Sequence, residues 1–348
     1  MRADLSEAFA SQSRSCASLG SPLMERLMRL LGTGWLPEGA LAARLEGWEG
    51  DLSSSGHSVP LRIAGALHAL VRAGRAPDLA DCYGSIDLTS DERLLETAAA
   101  VLGREEVFVL DFIESPPQTN ELRRSVAIIA AAHWLRARHP LPLVLSELGA
   151  SAGLNLIWDS YALMAEGRRL GPGDPLLTLA PDWRGRLPAA APHPPVLARA
   201  GVDLRPVDPV AGRDRLIAYL WPDQPERLER TAKALDAVAV GPRLVEAGDA
   251  VAWLESRLSG RFEGALHLVY HTVAWQYFPA ESQARGEALL AAAGAAARSD
   301  APLARLSMET DGQGPGAALT VDLWPGGERI ALGRVDFHGR WIDWAPAA

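Results

Sequence analysis

The stretch that decides the fold is Pro142–Asn155, PLVLSELGASAGLN. An apolar run, Leu143 to Leu145, leads through the acidic Glu147 into a loop of small residues, Gly149-Ala150-Ser151-Ala152-Gly153. Beyond it, apolar residues at Leu154, Ile157, Trp158, Tyr161 and Met164 follow a helical period. A strand, a small-residue turn and a helix in this order predict a cofactor cradle. Glycine lets the backbone approach a ligand, and the N–H groups at the helix start point at it.

Working outward, a helix over Asn120 to about Arg138 feeds this strand. Upstream, helix signals dominate. Ser21-Pro22 supplies a cap and a first-turn proline, and Ser90-Asp91-Glu92 opens another helix. Residues 1–118 are therefore expected to form a helical N-terminal domain, and residues 119–348 a second domain with a Pro-rich insertion near 167–200. Downstream, strand-like runs at Val202–Leu204, Arg243–Glu246, Leu266–Tyr270 and Leu303–Met308 alternate with helical stretches. Leu319–Leu323 and Ile330–Val335 flank Pro325-Gly326-Gly327 as a hairpin. The expected fold class is α/β, a mostly parallel sheet closed by a C-terminal antiparallel hairpin.

Composition narrows the function. The chain has 348 residues, 48% of them hydrophobic, enough for a substantial core. A net charge of −9 argues against nonspecific nucleic-acid binding, which needs a basic face. Cys16 and Cys82 are the only cysteines, too few for a disulfide framework or a cysteine zinc site, and no metal is expected. No signal-like segment and no membrane-length apolar run are found, so a cytoplasmic protein without a membrane partner is expected.

Three readings compete for the loop. A dinucleotide fingerprint wants three glycines, but Ser151 and Leu154 occupy two of the places. A serine nucleophile elbow fits Gly149-Ala150-Ser151-Ala152-Gly153, with Asp249 and His271 downstream in hydrolase order. Against it, the upstream segment reads as helical, whereas a hydrolase sheet places several strands before the elbow. A noncatalytic ligand-binding module is a further alternative.

In the third reading, Glu147, Gly149, Ser151 and Gly153 resemble the first motif of the class I, Rossmann-like S-adenosylmethionine-dependent methyltransferases. Gly201-Val202-Asp203-Leu204 resembles the second-strand segment of that family. Ala247-Gly248-Asp249-Ala250 resembles the third, and Tyr270-His271-Thr272 falls where the fourth strand ends. The resemblance implies a Rossmann-like form of the sheet, with S-adenosylmethionine as cofactor, held by Glu147, Gly149, Ala150, Ser151, Gly153 and Asn155. It further implies Asp203 at the ribose hydroxyls and Asp249 with Ala250 at the adenine. Two departures stand out: Asp203 lies 50 positions after Gly153, and the fourth strand lacks the Asn-Pro-Pro-aromatic pattern of enzymes that methylate nucleic-acid amino groups. The whole chain also resembles a bacterial family of uncharacterised proteins, through Gln118-Thr119-Asn120-Glu121, the Glu147–Asn155 motif, the 203–208 segment, Trp221-Pro222 and Gly339-Arg340-Trp341.

The expected activity is methyl transfer to a small-molecule acceptor. A hydroxyl or amine acceptor benefits from a base, and His271 is the candidate by motif position. A histidine satisfied at a strand end is the competing role. Asn120 and Asp249 could equally be helix caps. Gln118, Asn120 and Arg123 are expected to form a lid or substrate contact, with Trp275 lining the acceptor pocket. The oligomeric state is left open.

Overall fold

In the computed structural model, residues 2–346 are described. Seven helices come first: α1 (Ala3–Ser18), α2 (Pro22–Gly34), α3 (Gly39–Glu46), α4 (Val59–Arg72), α5 (Pro77–Gly84), α6 (Asp91–Arg104) and α7 (Glu106–Glu114). Ser21 caps α2 through Met24 N, and Ser90 caps α6 through Arg93 N, as their sequence positions imply. After α8 (Ser125–Arg138) come β1 (Leu143–Leu148), β2 (Tyr161–Ala165), β3 (Arg168–Leu170), β4 (Leu177–Leu179), β5 (Asp182–Arg184) and β6 (Val196–Asp203). Helices α9 (Arg213–Ala218) and α10 (Pro225–Ala239) precede β7 (Val245–Ala247), α11 (Ala250–Leu258), β8 (Leu266–Thr272) and α12 (Ala280–Ala295). The chain closes with β9 (Leu303–Glu309), β10 (Ala317–Trp324), β11 (Glu328–Val335) and β12 (Trp341–Trp344). Among the described residues, no helix is long and apolar enough to cross a membrane.

The chain divides into two compact units. The first comprises residues up to Thr119 together with Ala211–Ala232, a return that the expected boundaries of 1–118 and 119–348 do not contain. Its physical reason is a set of nonlocal contacts. Asp223 accepts hydrogen bonds from Ser21 Oγ at 2.6 Å and Leu23 N at 3.0 Å. The carbonyl of Ala218 meets buried His68 Nδ1 at 3.1 Å. Tyr219 packs on Phe112 with ring centroids 5.5 Å apart, and Trp221 joins the same apolar core.

The second unit holds a nine-stranded sheet in the order β5-β12-β11-β10-β9-β8-β1-β6-β7. Strands β7 to β9 in that order are mutually parallel, and β9 to β12 are antiparallel neighbours. The expected mostly parallel sheet and closing hairpin are present. Between β1 and β6 the expectation needs correction. The period from Leu154 to Met164 predicts one helix, but the chain makes a 3-10 turn over Leu154–Ser160, broken at Ile157, and then β2. Tyr161–Leu163 pairs with Leu177–Leu179, and this nonlocal pairing overrides the local helical period. Strands β2, β3 and β4 form a small separate sheet, and β5 pairs with β12 at the far edge of the large one.

Candidate functional site

Strand order reverses around β1: the chain goes outward through β6 and β7, then returns on the other side of β1 as β8. In open α/β sheets, ligands bind at the carboxyl ends of the strands flanking such a reversal. Here two loops meet there. After β1, Gly149 (φ 74°), Ser151 (φ 52°) and Gly153 (φ 79°) adopt left-handed conformations; after β8, Val273 does so at φ 54°. A left-handed conformation is unusual for serine and costly for β-branched valine, and such strain gathers at functional sites. The loops touch: a Cβ on Gly149 would stand 2.6 Å from that of Ala274.

Five N–H groups of the loop and the following turn, those of Gly149, Ala150, Ser151, Gly153 and Leu154, are committed within the fold. Gly149 N and Ala150 N donate to Val202 O at 2.9 and 3.0 Å, and Gly153 N donates to Ala150 O at 2.7 Å. Ser151 N donates to Asp203 Oδ2 at 2.9 Å. Leu154 N, the first donor of the 3-10 turn, is capped by Asn120 Oδ1 at 3.0 Å. The expected ring of N–H groups aimed at a ligand is therefore corrected.

Glu147, at the end of β1, is only 2% exposed, and its Oε2 finds no hydrogen-bond partner among the described residues. Burial, reinforced by the Asp203 carboxylate, pushes its carboxyl well above the usual range, against the pull of Arg124. Ser151 Oγ is likewise buried without a partner. The surroundings are rigid: Tyr161 OH donates to Leu154 O at 2.9 Å and Tyr270 OH to Asn155 O at 3.1 Å. Arg124 reaches the β8 end, donating to Thr272 O at 2.9 Å.

His271 is not placed as a base. Glu147 is in register with Tyr270, so alternation along β8 sends His271 to the opposite face. There it is fully buried. Its Nδ1 donates to Glu309 Oε1 at 2.7 Å and its Nε2 accepts from Arg305 Nε at 3.0 Å. Desolvation pushes the imidazole below its usual range, with Glu309 opposing. Both ring nitrogens are thus occupied. Asp249 Oδ1 caps α11 through Val251 N and Ala252 N at 3.1 and 2.8 Å. With these partners committed and Ser151 Oγ unpartnered, no Ser-His-Asp triad is assembled.

The remaining expected residues have these places. Asp203 holds Ser151 N and, through Oδ1, Arg205 N at 2.9 Å. Asn155 is interior, accepting from Ser125 Oγ at 2.7 Å and donating to Glu121 O at 3.4 Å. Asn120 is a cap, though for the turn after the glycine loop rather than its own helix. Ala250 is buried at the start of α11. Arg123 donates to Ala180 O at 3.4 Å. Trp275 stacks on His271, centroids 5.1 Å apart, and packs in the core with Leu290 rather than standing open as a pocket wall. Gln118 is half-buried in the segment that ends the first unit. Glu309, which organises the loop after β8, has no local sequence signal. A cleft of about 170 Å³ beside the outer flank of the glycine loop involves Ala152, Asp208 and Arg243 but neither Glu147 nor Ser151. Among the described residues, no group of three or more His, Cys, Asp or Glu side chains is placed to hold a metal ion.

Residues 6–344 match a family described as "Uncharacterized protein conserved in bacteria (DUF2332)". No curated protein and no solved structure matches the chain. With the match spanning nearly its whole length, the chain belongs to this family.

Proposed function

We propose that the carboxyl ends of β1 and β8 carry a Rossmann-like S-adenosylmethionine site, and that the protein is a methyltransferase-like enzyme for a small-molecule acceptor. The observation that carries this reading is the buried, unpaired Oε2 of Glu147 beside a strained small-residue loop. A buried carboxyl without a partner is costly, and such costs are retained where a ligand completes the bonding.

The local chemistry selects the ligand class. A pyrophosphate needs free N–H groups at a helix start, and here those of Gly149, Ala150, Ser151, Gly153 and Leu154 are committed. Glu147 and Asp203 add acidity. This disfavours dinucleotides and favours a ligand with cationic or hydroxyl donors. S-adenosylmethionine fits, with its ammonium group toward Glu147 and its ribose hydroxyls toward the remaining acceptor capacity of Asp203. When bound, it supplies a methyl group already activated on a sulfonium centre. The chain's own contribution is to bind, to align the acceptor and to exclude water. The commitment of both His271 nitrogens favours acceptors that need no base. The same observation supports the second reading, a ligand-binding module without turnover.

The test is calorimetric titration with S-adenosylmethionine and S-adenosylhomocysteine. Saturable 1:1 binding, lost in Glu147→Ala, is expected. Absence of binding by either compound to the folded wild-type protein rejects the reading.

A further inference from the structure

One carboxylate on the far side of β8 is almost saturated with donors. Glu309 ends β9 and is 9% exposed. Its Oε1 accepts from His271 Nδ1 at 2.7 Å, Ala274 N at 3.0 Å and Trp275 N at 3.1 Å. Its Oε2 accepts from Gln276 N at 3.2 Å. Three consecutive backbone N–H groups of the loop after β8 therefore converge on one side chain from a neighbouring strand. The same loop begins at strained Val273 and touches Gly149 through Ala274. Behind it, Arg305 links His271 to Glu287, with Nη1 at 2.6 Å from Glu287 Oε1.

We propose that Glu309 is a positioning residue for the ligand site: it holds the loop 273–276 in its strained conformation against Gly149, with His271 as the neutral strut that orients its carboxylate. This rests on the reading of the β1 and β8 ends as an S-adenosylmethionine site. Left to local preference, valine leaves the left-handed region. Glu309 is the counterweight, because releasing the loop strands a buried carboxylate and frees three donors at once. The arrangement also gives His271 a role, since its Nδ1–H fixes the tautomer and leaves Nε2 as acceptor for Arg305. Relaxation of the loop withdraws Ala274 from Gly149 and alters the surroundings of the proposed site. Glu309 itself touches no ligand in this arrangement.

The test combines amide hydrogen exchange with binding of S-adenosylhomocysteine, using the full chain. Glu309→Gln keeps size but replaces one acceptor oxygen with a donor. Expected are faster exchange at Ala274, Trp275 and Gln276, with the β10–β11 hairpin unchanged, and binding weakened about 10- to 100-fold, the equivalent of one charged hydrogen bond. Adding Val273→Gly, which tolerates the left-handed conformation without the counterweight, should recover most of the affinity. A general structural role does not predict that rescue. If Glu309→Gln does not fold, Glu309→Asp serves, with the charge kept and the reach shortened. Unchanged exchange at 274–276 overturns the proposal, as does faster exchange with unchanged affinity, or failure of Val273→Gly to rescue. Failure of the wild-type protein to bind the probe refutes the site reading instead and is seen before any variant is made.

Discussion

The ends of β1 and β9 each carry a buried glutamate, and the two have opposite fates. Glu309 is met by three backbone donors and an imidazole, and its carboxyl is held below the usual range by His271 and those donors despite burial. Glu147 has an oxygen with no partner, and burial beside Asp203 pushes its carboxyl up. The same side chain is structural where the fold satisfies it and points to a ligand where the fold does not. On the proposed reading, the β1 end makes the ligand contact and the β9 end supports the loop beside it.

The largest expected effect is on stability at Glu309. Glu309→Leu leaves the His271 imidazole and three backbone N–H groups without their acceptor and should destabilise the protein in denaturant unfolding by about 1–3 kcal/mol for each donor that stays buried. A loss below about 1 kcal/mol, the size of an ordinary surface change, would break the contrast. Glu147→Gln should behave in the opposite way. Removing a buried ionisable group without a partner should raise the melting temperature at pH 8, while binding of S-adenosylmethionine weakens about 10- to 100-fold. A variant that loses stability and keeps affinity would make Glu147 structural.

The pH dependence sharpens this further. Glu309 has a lowered folded pKa, so its stabilisation is present above the unfolded carboxyl range and is lost as pH falls through the folded value. Glu147 has a raised folded pKa, so its penalty is absent at low pH and grows as pH rises past the unfolded value. The stability differences of Glu309→Gln and Glu147→Gln from wild type should therefore have opposite signs at pH 8; that of Glu147→Gln should be gone by about pH 4.5, and that of Glu309→Gln should decline only below it. A shared background accompanies them. Burial lowers His267 to about 3 and His68 and His133 to about 4. Each is neutral in the folded chain, so stability is complete above about pH 6.5 and falls by about 1.4 kcal/mol per pH unit per histidine below it. Stability that is flat from pH 7 to pH 5 would contradict this.

Smaller effects belong to the loop and its neighbours. Ser151→Gly suits φ 52° and should retain binding, whereas Ser151→Leu should abolish it by blocking the approach of a ligand to the loop backbone. Asp249→Asn should shift stability by less than about 0.5 kcal/mol, because asparagine also caps helices. A large loss of affinity in Asp249→Asn would restore a ligand contact that its capping bonds do not require.

Much of the frame was legible in sequence. The apolar runs of β1 and β8, fully buried, and of β9, buried except at Ser307, read as strands, and Pro325-Gly326-Gly327 marks the hairpin. The segment after Gly153 was misread because Tyr161 and Met164 fit a helical period, while the strand that claims Tyr161 lies at Leu177–Leu179. Glu147 was legible from its place before the glycine loop. His271 was correctly set at the end of β8, but which face it points to depends on register with β1, which is nonlocal. Glu309 was invisible for the same reason: its donors lie more than 30 residues earlier in the chain. The return of Ala211–Ala232 to the first unit depends on pairings such as Ser21 with Asp223, which no local pattern encodes.

The most direct test of the central claim is proton release on binding. S-adenosylhomocysteine should be titrated calorimetrically at pH 7 in two buffers of different ionisation enthalpy. An ammonium group docking beside Glu147 favours its ionised form, so net proton release on binding is expected from the wild-type protein and none from Glu147→Gln. Binding with no buffer dependence, or with the same proton release in both proteins, would contradict it.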